Sequence, residues 1–271
     1  MKIVFLIIAS NDKEHELDLL TQRNTWASNL PENVKAISLR GWNKDLYSFE
    51  LDNLYVPCPE EYSQILRKTI LGVKYLVREL DFDILIRSNV STYFDIASLL
   101  RELKNPVYTS DFVGGYFDRS SAGYFDNTSW FEYISGTGIF MSRNAAVKLS
   151  ELDEIAYTGI ADDVAIDDFF RKSSLPRIRM ERNNLGSTHL FLPSFHIRAK
   201  SSTDSFLASK RMHLIHEYFT SVTVLSRVRV YINICISEFV AFIKHPESFY
   251  YYLAKNRVVL LSYLKMKSSR L

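Results

Sequence analysis

An α/β fold is expected for this chain of 271 residues, as a mixed, mostly parallel sheet flanked by helices with a C-terminal helical extension. Three observations lead there. Short apolar, β-branched runs alternate with helix-patterned segments from residue 1 to about 150, and strand–helix–strand alternation argues for parallel pairing. The chain is 47% hydrophobic with only 9 Gly and 7 Pro, which is ample for a core and excludes disordered and collagen-like classes. Near residue 220 the composition switches, dividing the chain into residues 1–220 and a basic, aromatic-rich helical segment at 221–271.

The elements follow in order. Ile3–Ala9 reads as a buried first strand. Met1-Lys2 before it imitates a short signal peptide, but polar Ser10-Asn11-Asp12-Lys13 follows at once and no convincing cleavage site appears. Asp12 to Ser28 has helix-compatible composition, and Val34–Leu39 reads as a second strand. Pro57 and Pro59 introduce a helix over Glu60 to Leu80, where Tyr62, Ile65, Leu66, Ile70, Val73, Leu76 and Val77 repeat at the spacing of one helix face. Asp83–Arg87 is a brief buried strand running into the polar stretch Arg87–Asp95. Ligands of open α/β sheets sit beyond the carboxyl ends of the strands, so a ligand is expected there.

Residues 106–145 are rich in glycine and aromatics, and they lead into Ser135-Gly136-Thr137-Gly138. Gly136 and Gly138 admit two readings, close backbone approach to a ligand or a bulged strand. Asn144–Leu152 reads as a helix. Ala161 to Phe170 then packs Asp162, Asp163, Asp167 and Asp168 into one helical pattern. A carboxylate at a helix N-terminus beside a cleft suits a general base; the other reading is an N-cap and a solvated first-turn acid.

Charge and cysteines narrow the class. The net charge of +2 gives no support for a nucleic-acid partner. Cys58 and Cys235 are too few for a disulfide framework or a zinc site, which favours reduced thiols and a cytoplasmic location. Phosphate-loop, dinucleotide, zinc-protease and nucleophile-elbow signatures are absent.

Five segments in register then resemble one family, the family 31 glycosyltransferases of β-1,3 and Fringe type, and more closely their compact bacterial and viral relatives. These are Arg23-Asn24-Thr25-Trp26, Glu61 to Thr69, Tyr133 to Ser142, Asp162-Asp163-Val164 and Phe195-His196-Ile197-Arg198. The resemblance covers residues 1 to about 220 and implies a GT-A type fold. It also implies an inverting hexosyltransferase that moves a sugar from a nucleotide donor, UDP-linked, to a glycan or lipid-linked acceptor. A bacterial surface polysaccharide is the expected setting.

In that reading Asp163 is the base and Asp162 supports it. Asn11, Arg23, Arg87, Ser88, Asn89, Ser91, Arg198 and Lys200 contact the donor; Tyr116, Trp130, Tyr133, Gly136 and Gly138 contact the sugars. One departure bears on cofactors. Where the family carries a metal-binding aspartate motif, this chain has Asn89-Val90-Ser91, and neutral oxygens suit Mn²⁺ or Mg²⁺ poorly. Either His196 holds a divalent metal weakly, or Arg87, Arg198 and Lys200 neutralise the diphosphate directly. A non-catalytic carbohydrate- or nucleotide-sugar-binding protein is the alternative function.

From Ser221 to Leu271 eight Lys/Arg stand against Glu238 and Glu247. Arg227, Arg229 and Glu238 interrupt the apolar run from Val222 to Ile243, so it falls short of a bilayer span. A helix of this kind lies at an anionic membrane surface or packs on the catalytic domain or a second subunit.

Overall fold

A computed structural model describes residues 1–120, 131–184, 194–199 and 205–244. The first half runs β1 (Ile3–Ile8), α1 (Lys13–Asn24), β2 (Val34–Trp42), β3 (Ser48–Glu50), β4 (Asn53–Pro57), α2 (Ile65–Glu79) and β5 (Ile84–Asn89). Then come β6 (Thr92–Phe94), α3 (Ile96–Glu102), β7 (Val113–Ser120), β8 (Phe131–Ser142), α4 (Arg143–Ser150) and α5 (Asp162–Lys172). The chain continues with β9 (Arg177–Arg179), β10 (Asn183–Asn184), β11 (His196–Arg198), α6 (Ser205–Thr220) and α7 (Val224–Lys244).

One sheet has the order β3-β4-β2-β1-β5-β8-β7-β9, and a smaller one has the order β10-β11-β6. β4, β2, β1 and β5 are mutually parallel, whereas β8 joins β5 antiparallel. The mixed, largely parallel sheet flanked by helices is therefore the architecture expected. Every residue of β1 is buried, because a central strand covered on both faces is apolar throughout. Ile3, Phe5 and Ile7 pack with Trp26, Phe94 and Ile215 on one face. Val4, Leu6 and Ile8 pack with Leu66, Ile70, Val73 and Leu76 of α2 on the other. Asp12 caps α1 by accepting from the His15 N–H at 2.8 Å.

The register of β7 on β8 shifts at the glycine segment. Gly115 pairs with Ile139, yet Phe117 pairs with Ile134. Tyr116 alone therefore faces Ser135, Gly136, Thr137 and Gly138, and β8 bulges there. Bulges re-aim side chains and collect beside active sites. Beyond the sheet, α6 packs on α1, and Val230 and Ile234 of α7 join the core that holds Phe5.

Candidate functional site

The bulge at 135–138 is gripped from both faces. On the α5 face stands Arg87 of β5, which is 2% exposed. Its Nη2 donates to Asp162 Oδ2 at 2.5 Å, and its Nη1 donates to Asn89 Oδ1 at 2.8 Å and to the Gly136 carbonyl. A Cβ at Gly136 would collide with this guanidinium, so close approach is what the glycine permits. The Gly136 N–H donates to Asp163 Oδ2 at 2.9 Å, which ties the base candidate to the bulge.

Ala161, with no capping side chain, begins α5. Asp162 and Asp163 lie in its first turn, and Asp163 Oδ1 accepts the Val164 N–H at 3.0 Å. Burial, reinforced by the Asp162 carboxylate, pushes Asp163 up to about 6. The Gly136 N–H and Arg87 pull the other way without winning. A carboxyl poised near neutrality suits proton abstraction.

On the opposite face stands Arg182, a buried residue absent from the expected set. Its Nη1 donates to Ser135 Oγ at 2.8 Å and to Thr137 Oγ1 at 3.1 Å. Asp118 is its carboxylate partner at 3.4 Å, and the Tyr116 ring lies 3.9 Å from its guanidinium carbon. Burial lowers Arg182's affinity for its proton, and nearby Arg198 adds to this. Arg198 forms no ion pair with a described residue. Burial pushes the Tyr133 pKa up strongly, Asp163 and Asp118 add to this, and Arg198 and Arg182 oppose it. Asp163, Tyr133, Arg198 and Arg182 therefore share one electrostatic neighbourhood.

His196 of β11 is fully buried, stacked on Phe94 with ring centroids 5.2 Å apart. A Cβ at Gly138 would come within 2.9 Å of its ring. Neither ring nitrogen makes a well-formed hydrogen bond among the described residues, although the Thr137 backbone lies close enough to act on the ring. Burial, then Arg182, pushes its pKa down to about 3. His196 is thus placed as a neutral buried ring backing the bulge. Among the described residues no three His, Cys, Asp or Glu side chains gather as a metal site. Asn89 Oδ1 is occupied by Arg87.

The remaining donor candidates fall into two groups. Ser88 is buried, and its hydroxyl has no partner among the described residues. Ser91 is buried, and its carbonyl accepts the Ala199 N–H at 2.9 Å. Asn11 and Arg23 belong to a separate network along β2, joined through residues the motifs did not mark. Arg40 Nη1 donates to Asn11 Oδ1 at 3.0 Å, and Arg40 Nε donates to Asn53 Oδ1 at 3.2 Å. Arg23 Nη2 reaches the same Asn53 oxygen at 3.0 Å. Glu16 answers Arg40 with both oxygens. Arg23 also lines a cavity of about 300 Å³ between α1 and β2, on a different part of the sheet from Asp163. Trp130 and Lys200 lie outside the described residues.

Arg87, expected at the diphosphate, has its buried guanidinium hydrogen-bonded to Asp162, Asn89 and Gly136.

No family model matches this chain, and no curated protein matches it. Solved structures do match in shape. The galactosyltransferase LgtC, in complex with donor and acceptor sugar analogues, superposes with a TM-score of 0.47 and 10% identity, over 83% of this chain and 99% of its own. A glycosyltransferase involved in glycosylating the major capsid of PBCV-1 gives 0.47 and 10%, over 79% and 100%. A putative glucose-1-phosphate thymidylyltransferase from Bacillus anthracis gives 0.40 and 11%, over 80% and 96%.

Proposed function

We propose that this chain is a glycosyltransferase that moves a sugar from a nucleotide donor to a hydroxyl of a glycan or lipid-linked acceptor. The observation that carries the reading is Asp163, a carboxyl raised to about 6. It sits beside a glycine bulge and shares an electrostatic neighbourhood with Arg198 and Arg182. The acceptor hydroxyl gives its proton to Asp163 as its oxygen bonds to the anomeric carbon. The bond from that carbon to the diphosphate oxygen breaks, and the electron pair leaves with the nucleotide. Cations fixed in advance stabilise that developing charge; Arg198, without an ion-pair partner among the described residues, supplies one, and Arg182 is close enough to act with it. Arg87 holds Asp162 in a direct ion pair, leaving Asp163 as the group that exchanges a proton.

Inversion of configuration, a UDP-linked donor and β-1,3 linkage are the finer proposals, and they rest on the motif resemblance. Attachment to a membrane surface is a further part of the reading. Val224, Leu225, Val228, Ile232 and Ile236 of α7 are exposed large apolar residues, with Arg227 and Arg229 exposed beside them. No helix among the described residues is long and apolar enough to cross a membrane. Basic helices with an apolar stripe bind anionic interfaces.

The test is a panel of nucleotide-sugars screened by thermal shift and calorimetry, with Mn²⁺ and with EDTA, followed by transfer assays on the binders. A bound ligand raises the melting temperature by mass action. Transfer that disappears in Asp163→Asn, in a protein that still folds and binds donor, supports the proposal; unchanged turnover in Asp163→Asn overturns it. A second reading, a nucleotide-sugar-binding protein without catalysis, draws on Arg87 neutralising Asp162 and on neutral Asn89 and Ser91. Donor binding with no transfer or hydrolysis across the acceptor panel favours it.

A further inference from the structure

The far edge of the large sheet carries more positive charge than its own acids require. β9 is the terminal strand, only three residues long. Its Arg177 and Arg179 both bear on the ring of Phe117, with guanidinium carbons 4.8 and 4.6 Å from the centroid. Arg119 of β7 and Arg171 of α5 complete a set of four. Two carboxylates answer all four. Asp167, fully buried, accepts from Arg171 at 2.8 Å and from Arg177 at 2.6 Å. Glu132 accepts from Arg119 at 3.0 Å and from Arg179 at 2.9 Å, and these bonds, Arg119's first, draw its pKa down. Among the described residues the patch therefore keeps two positive charges in excess. Arg119 and Arg179 are 70% and 54% exposed, with most of their five N–H donors uncommitted.

Position gives the patch its meaning. Asp163, Asp167 and Arg171 follow one another at four-residue spacing along one face of α5. At 1.5 Å per residue, Arg171 lies about 12 Å along the helix axis from Asp163. Asp167 itself is buried, so a chain whose terminal hydroxyl meets Asp163 crosses this edge over the exposed guanidiniums of Arg119 and Arg179. A guanidinium fork matches a carboxylate or phosphate bidentately, and Phe117 between two guanidiniums adds an apolar floor.

We propose that the β9 edge binds the acceptor and that the acceptor is an acidic saccharide, one carrying carboxylate or phosphate groups. The proposal rests on the transferase reading, of which it names the substrate class.

The test uses the full chain and three probes, hexagalacturonate, neutral maltohexaose and inorganic polyphosphate, with UDP titrated in parallel. Hexagalacturonate is expected to bind at least ten-fold more tightly than maltohexaose at low salt. That gap should narrow as ionic strength rises, because exposed charges are screened. Arg119→Ala/Arg179→Ala should abolish the gap and leave UDP binding unchanged. Arg119→Lys/Arg179→Lys, which keeps the charge, should retain it. An intact gap in the alanine variant overturns the proposal, as does maltohexaose binding as well as the acidic chain. Polyphosphate binding more tightly than hexagalacturonate would overturn the saccharide assignment. UDP binding without the gap sinks this proposal alone; the gap without UDP binding sinks the transferase reading and leaves an acidic-glycan site.

Discussion

Arg40 and Arg182 are both buried guanidiniums beside the large sheet, yet they meet different company. Arg40 is matched by Glu16 through two bonds, and although burial opposes its charge, that pairing raises its pKa. Its neighbour Lys68 is equally satisfied, donating to Glu60 and to the Ala9 carbonyl at 2.7 Å each. Arg182 has one carboxylate at 3.4 Å, a second cation nearby, and a lowered pKa. Asp163, which shares Tyr133 as a neighbour with Arg182, is pushed the wrong way for an acid. Fully matched charges serve the fold; the mismatch around Asp163 and Arg182 is what marks that region as the candidate site.

Breaking the mismatched side should give the largest effects. Asp163→Asn is expected to lower sugar transfer by about 10²–10⁴-fold, the usual contribution of a general base. The same variant should be no less stable at pH 7. Asp163's folded pKa of about 6 lies above its ordinary 3.8, so ionising it costs stability that grows as pH rises through that window. Asparagine removes that cost, an expected gain of about 1–3 kcal/mol at pH 7 that vanishes near pH 4. Chemical denaturation at the two pH values checks it.

Arg87→Ala strips the partner from Asp162 and should cost about 3–5 kcal/mol, the range for orphaning one member of a buried pair. Urea midpoints measure it.

His196→Phe sharpens the comparison through pH. A histidine held down to about 3 contributes stability that is full above its unfolded pKa near 6.5 and is lost as pH falls below it. The variant's stability relative to wild type should therefore improve by about 2–4 kcal/mol between pH 7 and pH 4.

Lys68→Met, on the matched side, should show the smallest effect. About 1.5–3 kcal/mol of stability is expected to go, the scale of a charged hydrogen bond, because Glu60 keeps the Gly41 N–H as a partner, with no movement of the acid limb of transfer. A shifted limb in Lys68→Met would dissolve the distinction between the two regions.

Much of the frame was legible because periodicity encodes it. Ile3–Ala9, the face Leu66-Ile70-Val73-Leu76 and the run at 84–86 each declare their element by burial pattern, and all three appear. Strand β2 runs to Trp42, past the Leu39 expected, because pairing with β4 extends it, and a partner strand leaves no mark in its neighbour's sequence. The three-residue strands β3, β6 and β9 are too short to show alternation. The acids at 162–163 stood out by composition, and the bulge by its glycines. Arg182 did not, since its significance arises from Ser135, Thr137 and Asp118, separated from it by 45 to 64 positions. Arg87 was legible as a candidate, but its burial and its bonds to Asp162, Asn89 and Gly136 arise from long-range packing that its own position in the sequence does not show.

The most direct test is a carboxyl carbon-13 NMR titration of the whole chain, with Asp163→Asn used to assign the resonance. An inflection near pH 6 that is missing from the variant is the predicted result. A midpoint at or below about 4, the ordinary aspartate value, would contradict Asp163 as the proton acceptor.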